Sequence, residues 1–134
     1  MSELRLTEEA KDYLEAAERT RGYTLDFHRV MAAADFEWLQ KYNQFIEATY
    51  TGQRTLDRKT KELLQVAVEA ALRADVSQIQ EHVRLALENG ATPTEVLEAL
   101  EAVIAPMGAL AFRRGLQAWA AEVGIDSDKL EVGE

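Results

Sequence analysis

Residues 75–98, with the sequence DVSQIQEHVRLALENGATPTEVLE, carry the clearest structural signals in the chain. Apolar residues recur at helical spacing over residues 75–89, which predicts a helix with a single apolar stripe. Gly90 is placed to end this helix in the left-handed conformation. The run Thr92-Pro93-Thr94-Glu95 combines an N-cap, a proline at the first helical position and the glutamate of a capping box. The stretch therefore predicts two helices joined by a tight turn.

The rest of the chain has the same kind of helix punctuation, and no segment alternates with the two-residue period of a half-buried strand. The predicted helices extend from Thr7 to before Gly22, from Thr24 to about Ala33, from Asp35 to near Gly52, from Asp57 to about Arg73, from Asp75 to Asn89, from Thr92 to an interruption at Pro106, and from about Ala109 to Val123. Asp75 and Gln78 have the spacing of a second capping box. We therefore predict an all-α bundle of about six to seven helices, with residues 1–134 forming a single domain.

The composition is typical of a globular domain, with 47% apolar and 29% charged residues. The uninterrupted apolar stretches are far shorter than the roughly 20 residues that cross a bilayer. The N-terminus also lacks the pattern of a secretory signal, so we expect a cytoplasmic protein with no membrane partner. The formal net charge of −9 would repel a phosphate backbone, which excludes nucleic acid as an expected partner.

The chain has no cysteine and two histidines, His28 and His82. Without cysteine there can be no disulfide, no peroxidatic thiol and no thiolate metal site. Two histidines leave little for a transition metal, so we expect neither a metal nor another cofactor. Any catalysis would then depend on a histidine together with carboxylates and amides.

Residues 56–108 contain a set of short motifs at characteristic spacing. The set consists of Lys61-Glu62-Leu63, His82, Ala86, Gly90-Ala91-Thr92, Glu95-Val96, Glu98 and Gly108. It resembles the core of the carboxymuconolactone decarboxylase family, which includes the AhpD-like alkylhydroperoxidases. The resemblance implies an AhpD-like all-helical fold, assembled as homo-oligomeric trimers or hexamers, with a site between helices near the subunit boundary.

Two motifs of that family are missing from this chain. The peroxidase branch has a C-x-x-C pair before its histidine, whereas residues 74–78 read ADVSQ, so thiol peroxidase activity is disfavoured. The decarboxylase branch has a glutamate one turn before the histidine and a Y-A-G-x-P motif. This chain has Gln78 at the first position and PMGAL, residues 106–110, at the second.

His82 is the first candidate catalytic residue. On a helical wheel it lies about 80° from the centre of the apolar stripe of its helix. An imidazole at the rim of an apolar face is partly desolvated and still reachable, which suits proton exchange near neutral pH. The alternative is a structural histidine that donates to a backbone carbonyl.

Glu62 and Glu69 lie seven residues apart on one side of the preceding helix, and either could approach His82 if the two helices pack antiparallel. Glu62 matches the glutamate of the family, and the resemblance therefore favours it as the second catalytic residue, orienting and charging the imidazole. We expect Glu69 to belong to a solvated face instead.

Candidate substrate-binding residues are Gln78, one turn before His82, and Arg113, since a guanidinium grips a carboxylate through two hydrogen bonds. Gln78 has an equally good interpretation as the capping partner of Asp75. Further possible anchors for a carboxylate are Arg58, Arg73, Arg84 and Arg114.

The predicted third helix has a wide aromatic face that includes Trp38, Tyr42 and Phe45. Such a face needs cover from two sides, so we expect it in the core or in the subunit interface of a homo-oligomer. His28 has no evident partner and is expected to be structural.

These observations favour a carboxymuconolactone-decarboxylase-like protein that moves protons without a cofactor. The hypothesis is acid–base catalysis of lyase or isomerase type on a small organic acid or lactone, carried out by His82 with support from Glu62. The alternative hypothesis is a non-catalytic, oligomeric helical binding or scaffold protein that kept the fold and lost the site.

Overall fold

Helices account for the regular structure of residues 3–133, the part of the chain that this computed structural model describes. The α-helices are α1 (Glu8–Arg21), α2 (Asp26–Ala34), α3 (Phe36–Ile46), α4 (Arg58–Ala71), α5 (Val76–Glu88), α6 (Pro93–Glu101), α7 (Ile104–Met107) and α8 (Ala109–Val123), with a π-helical segment at Glu47–Thr51 and a 3-10 turn at Ser127–Lys129. No strand occurs within residues 3–133, so the predicted all-α class is confirmed.

None of the helices within residues 3–133 has both the length and the apolar character that crossing a membrane would require.

Most helix starts follow the predicted N-caps. Side-chain oxygens accept backbone N–H groups in four pairs: Thr7 from Ala10, Asp35 from Trp38, Asp57 from Thr60, and Thr92 from Glu95. The stop at Gly90 is confirmed as well, because this glycine has a φ of 97° that a side chain would strain. Short polar side chains therefore define these boundaries locally.

Two predicted caps are wrong. The helix expected to start at Thr24 is capped one residue later, at Leu25, whose N–H donates to Nδ1 of His28 at 2.9 Å. The carboxylate of Asp75 makes no capping hydrogen bond to α5. In the first case no side chain caps the N–H groups of the first turn, and His28 accepts the N–H of the N-cap residue instead. In the second case the side-chain amide of Gln78 donates to Glu69.

The interruption of the sixth helix lies earlier than Pro106. Helix α6 already ends at Glu101, and Pro106 lies within the short helix α7. A proline is tolerated there because the first turn of a helix needs no intrahelical N–H bonds. The chain then turns at Gly108, which has a φ of 84°, before α8 begins.

Contacts between Cα atoms divide the chain into two compact units, Met1–Arg54 and Thr55–Glu134. The single domain over residues 1–134 stays a prediction. In the first unit, α2 packs on both α1 and α3. Its buried core consists of Ala10, Leu14, Ala32 and Leu39, with Tyr13, Met31, Phe36 and Tyr42 packed against them.

In the second unit, α4 packs against α5, α6 and α8. The core consists of the buried side chains of Val66, Ala70, Ile79, Val83, Ala86, Ala91, Val96, Leu100 and Ala118. Helix α8 approaches closely because Gly115 has no side chain: a Cβ there would clash with Leu100 and lie 3.1 Å from Cβ of Ala70. This packing holds α4 and α5 side by side.

Candidate functional site: a histidine between two glutamates

Helices α4 and α5 are antiparallel, which brings both glutamates of α4 to the histidine of α5. Glu62, near the start of α4, contacts His82, while Glu69, near its end, contacts both His82 and Gln78. Because Glu62 and Glu69 are seven residues apart, their side chains leave α4 on the same face two turns apart. The two carboxylates therefore reach the imidazole from opposite ends.

The imidazole of His82 lies between these two carboxylates. Its Nδ1 is 2.8 Å from Oε2 of Glu62, and its Nε2 is 3.2 Å from Oε1 of Glu69. An ionised carboxylate only accepts hydrogen bonds, so both ring nitrogens donate and the ring is an imidazolium. The predicted contact between His82 and Glu62 is confirmed.

His82 is more buried than a rim position would be. Only 5% of its surface is exposed. The ring is desolvated as predicted, but the prediction that it is reachable from solvent is wrong. The helical wheel places the ring at the border of the apolar stripe of α5, but it does not show the glutamates of α4 that cover it. The alternative interpretation expected a ring nitrogen to donate to a backbone carbonyl, whereas both ring nitrogens face carboxylate oxygens.

Burial alone lowers the pKa of His82, since a charged ring loses water. The hydrogen bonds and negative charges of Glu62 and Glu69 outweigh this effect and raise the pKa of His82 to about 9. The imidazole is therefore protonated at neutral pH, and the site is a charged cluster within the helical bundle.

Glu62 has no exposed surface, which makes its charge expensive unless it is compensated. Nε of Arg58, one helical turn earlier, donates to Oε1 of Glu62 at 2.7 Å. The other oxygen accepts from His82. Arg58, a possible anchor for a substrate carboxylate in the sequence, is thus ion-paired within the cluster.

Glu69 is a member of the site that sequence reasoning assigned to a solvated face, and that expectation is wrong. The residue is 9% exposed. Its Oε1 faces Nε2 of His82 and also accepts from Nε2 of Gln78 at 3.2 Å. Its Oε2 is enclosed and has no hydrogen-bond partner among the described residues. The seven-residue spacing from Glu62 was the signal that could have found it.

The two predicted substrate-binding residues have different surroundings. Gln78 is in the cluster, where it contacts Glu69 instead of capping α5. Arg113 is exposed on α8 and lines an open depression of about 330 Å³ together with Leu110, Arg114 and Gln117. A substrate role for either residue stays a prediction.

Among residues 3–133, no group of three or more histidine, aspartate or glutamate side chains is arranged to hold a metal ion. The geometry of the cluster explains this, because Glu62 and Glu69 face opposite nitrogens of one ring and their oxygens do not converge. His28 lies in the other unit, where burial and the charge of Arg21 lower its pKa to about 4.

The fold and the cluster define an all-helical protein in which an antiparallel helix pair encloses a histidine between two carboxylates. A model of the Carboxymuconolactone decarboxylase family matches residues 37–121, and the chain belongs to this family. The match includes α4, α5, α6 and the cluster between them.

A crystal structure of a protein from Burkholderia xenovorans LB400, named a "putative carboxymuconolactone decarboxylase", has a similar fold. The TM-score is 0.71, with 22% sequence identity over 85% of this chain and 88% of that chain. No curated protein matches the chain in sequence.

Proposed function

We propose that the protein catalyses proton transfer on a small organic acid or lactone without a cofactor, as a lyase or isomerase, with His82 and Glu62 at the centre of the site. The observation that supports this proposal most directly is the buried imidazole of His82 between two carboxylates. An oxygen of Glu62 lies 2.8 Å from Nδ1, and an oxygen of Glu69 lies 3.2 Å from Nε2. The family is named after the decarboxylation of a lactone acid, which agrees with this class of substrate.

The arrangement can supply both partners of an acid–base reaction. Loss of carbon dioxide, or of a proton, from a carbon next to a carbonyl group leaves an electron pair that a proton must finally neutralise. An imidazolium is a suitable acid for this step, and a carboxylate hydrogen-bonded to it is a suitable base. Glu62, charged and fully buried, keeps the ring oriented and protonated.

The test is the turnover of carboxymuconolactone, together with deuterium exchange into related lactones in heavy water. His82→Asn and Glu62→Gln should each reduce the rate by about 100-fold or more, since general acid–base catalysis contributes at least that much. Matched controls are His28→Asn, the other histidine of the chain, and Glu88→Gln, a partly exposed carboxylate on α5. Unchanged turnover in His82→Asn would show that the mechanism is wrong.

A second candidate function is a non-catalytic helical binding or scaffold protein, and the low exposure of the cluster favours it. Glu62 has no exposed surface and His82 only 5%, as in a purely structural ion-pair network. If so, His82→Asn and Glu62→Gln should lower the free energy of unfolding, and the wild-type protein should neither turn over nor exchange any lactone. Activity lost in variants that remain folded would exclude this candidate.

A further inference from the structure

Only one acceptor atom of the charged cluster lacks a hydrogen-bond partner among the described residues: Oε2 of Glu69. Both oxygens of Glu62 accept a hydrogen bond, one from Arg58 and the other from His82. Both nitrogens of His82 face carboxylates. The capacity of the cluster to accept a further hydrogen bond therefore lies at Glu69.

A buried carboxylate oxygen needs a donor in place of bulk solvent, and none of the described residues supplies one to Oε2 of Glu69. The side chain of Gln78 approaches the other oxygen, Oε1, and thereby holds the carboxylate in one orientation. A buried acceptor that is fixed in direction and receives no donor from the described residues is the arrangement expected of a group that takes a proton or a donor from a ligand.

Among Glu62, Glu69 and His82, Glu69 has the most exposed side chain. Its side chain is 12% exposed, against 6% for His82 and 0% for Glu62. It lies in the last turn of α4, close to the exposed Leu72. A ligand that reaches Oε2 must therefore displace side chains around the turn between α4 and α5, which lies beside the exposed Leu72.

The charges of the cluster determine which ligand group fits. The cations Arg58 and His82 offset the anions Glu62 and Glu69, so these four side chains are neutral as a set. A ligand carboxylate placed against Glu69 would add an uncompensated negative charge where little water can screen it. An uncharged donor adds a hydrogen bond and no net charge.

We infer that Glu69 is the ligand-facing base of this site and that the ligand presents to it an uncharged proton donor, a C–H next to a carbonyl or an O–H or N–H group. The assignment rests on the proposed function and deepens it. Any carboxylate of the substrate must lie away from Oε2 of Glu69.

In the proton-transfer step, Oε2 of Glu69 forms a bond to the hydrogen while the C–H bond of the substrate breaks. The electron pair of that bond remains on the substrate, as an enolate when a carbonyl is adjacent. Return of the same proton to another carbon restores the carboxylate and completes an isomerisation. No oxidant, reductant or further reactant is needed.

The experiment compares three probes of similar size by NMR titration of the isotope-labelled protein. The probes are 2-pyrrolidone, which is neutral and has an N–H donor, γ-butyrolactone, which is neutral and has none, and tetrahydrofuran-2-carboxylate, which is an anion. 2-Pyrrolidone should bind to the wild-type protein most tightly, by roughly ten-fold over each of the others, as one hydrogen bond to a charged acceptor predicts. Tighter binding of the carboxylate, or no binding of 2-pyrrolidone, would overturn the assignment.

Glu69→Gln should reduce the affinity for 2-pyrrolidone by roughly ten-fold. The matched control is Glu81→Gln, which changes a more exposed carboxylate of α5 that pairs with Arg84. This variant should leave the affinity unchanged. If Glu69→Gln does not fold, Glu69→Asp keeps the charge, withdraws the carboxylate from the site and should also weaken binding. Unchanged affinity in the folded Glu69 variant contradicts the assignment.

Turnover of carboxymuconolactone by His82→Asn separates the two proposals. If that variant is inactive while Glu69→Gln still binds 2-pyrrolidone normally, the proposed function survives and the assignment of Glu69 fails. If His82→Asn keeps full turnover while 2-pyrrolidone binding depends on Glu69, the ligand-facing role is supported and the proposed mechanism fails.

Discussion

At the scale of single residues, Glu62 is a carboxylate without exposed surface, and its buried charge needs donors from the protein. Arg58 and His82 each donate to one of its oxygens. In water these hydrogen bonds would contribute little, but inside the protein the carboxylate depends on them because no solvent replaces a lost donor.

Arg58→Met should therefore lower the free energy of unfolding by about 3 kcal/mol or more, because it removes one donor from a buried anion while keeping the apolar stem. Equilibrium unfolding in urea measures this difference. The chain offers a control in Arg84→Met, since Arg84 pairs with Glu88 at the same spacing and the same 2.7 Å, and also with Glu81, but all three side chains are partly exposed. The loss of these solvent-screened pairs should lower the free energy of unfolding by at most about 1 kcal/mol. Equal losses in the two variants would contradict the account.

The pH dependence of stability follows from the pKa of His82. The folded-state pKa of about 9 lies above the ordinary value of 6.5, so its contribution is fully present below pH 6.5 and is lost as the pH rises through 9. Urea unfolding between pH 6.5 and 9.5 should show a fall in stability that is absent in His82→Gln. A wild-type curve that stays parallel to that of His82→Gln would contradict the charged cluster.

His28 provides the opposite sign in the same protein. Burial and then the charge of Arg21 lower its pKa to about 4, so the folded state favours the neutral ring. Its contribution is present above pH 6.5 and is lost as the pH falls toward 4. His28→Gln should therefore change the acid side of the stability profile and leave the alkaline side unaltered.

At the scale of elements, the antiparallel pair of α4 and α5 creates the site. One boundary of each helix follows a local signal: Asp57 caps the start of α4, and Gly90 ends α5. Which residues face each other across the pair depends on the turn between the two helices and on their packing against α8. Glu69 and Gln78 meet for this reason, although local spacing assigned each of them a different role.

The two acidic residues before α4 and α5 provide a test at this scale. Asp57→Ala should lower the free energy of unfolding clearly, because Oδ1 of Asp57 accepts the N–H of Thr60 at 2.8 Å. Asp75→Ala should lower it by only a few tenths of a kcal/mol, from the lost interaction with the helix dipole, because Asp75 makes no capping hydrogen bond. Thermal and urea unfolding of both variants measure the difference. A larger loss in Asp75→Ala would mean that the predicted capping box does form.

At the scale of the whole molecule, part of the aromatic face of α3 stays exposed among residues 3–133. Trp38 stacks on Tyr42 with ring centroids 5.2 Å apart, yet Trp38 is 43% and Phe45 is 62% exposed. Exposed apolar groups of this size on one helix are typical of an interface, which agrees with the predicted homo-oligomer. The oligomeric state itself stays a prediction.

Light scattering during gel filtration should give a mass that is a multiple of the 15.0 kDa chain at micromolar concentration. Phe45→Lys should shift the population toward the monomer, since it places a charge where an apolar surface would be buried. Gln44→Lys adds the same charge at the neighbouring position and should leave the mass unchanged. A monomeric wild-type protein would contradict the prediction.

The sequence by itself was sufficient for the helical class and for most helix boundaries, and it left Glu62 and Glu69 as the two possible partners of His82. Periodicity, caps and the left-handed stop at Gly90 are local, so they can be read from neighbouring residues. Glu62 was favoured as the partner of His82 because it matches the glutamate of the family pattern.

Only the tertiary structure decided that His82 is buried and that Glu69 faces Nε2 of this histidine. It also decided that Gln78 contacts Glu69 instead of capping α5. A helical wheel describes one helix in isolation, whereas burial and charge pairing depend on the side chains that a second helix places over it. The pKa of His82 is set in the same way, by the balance between lost water and two carboxylates brought from another helix.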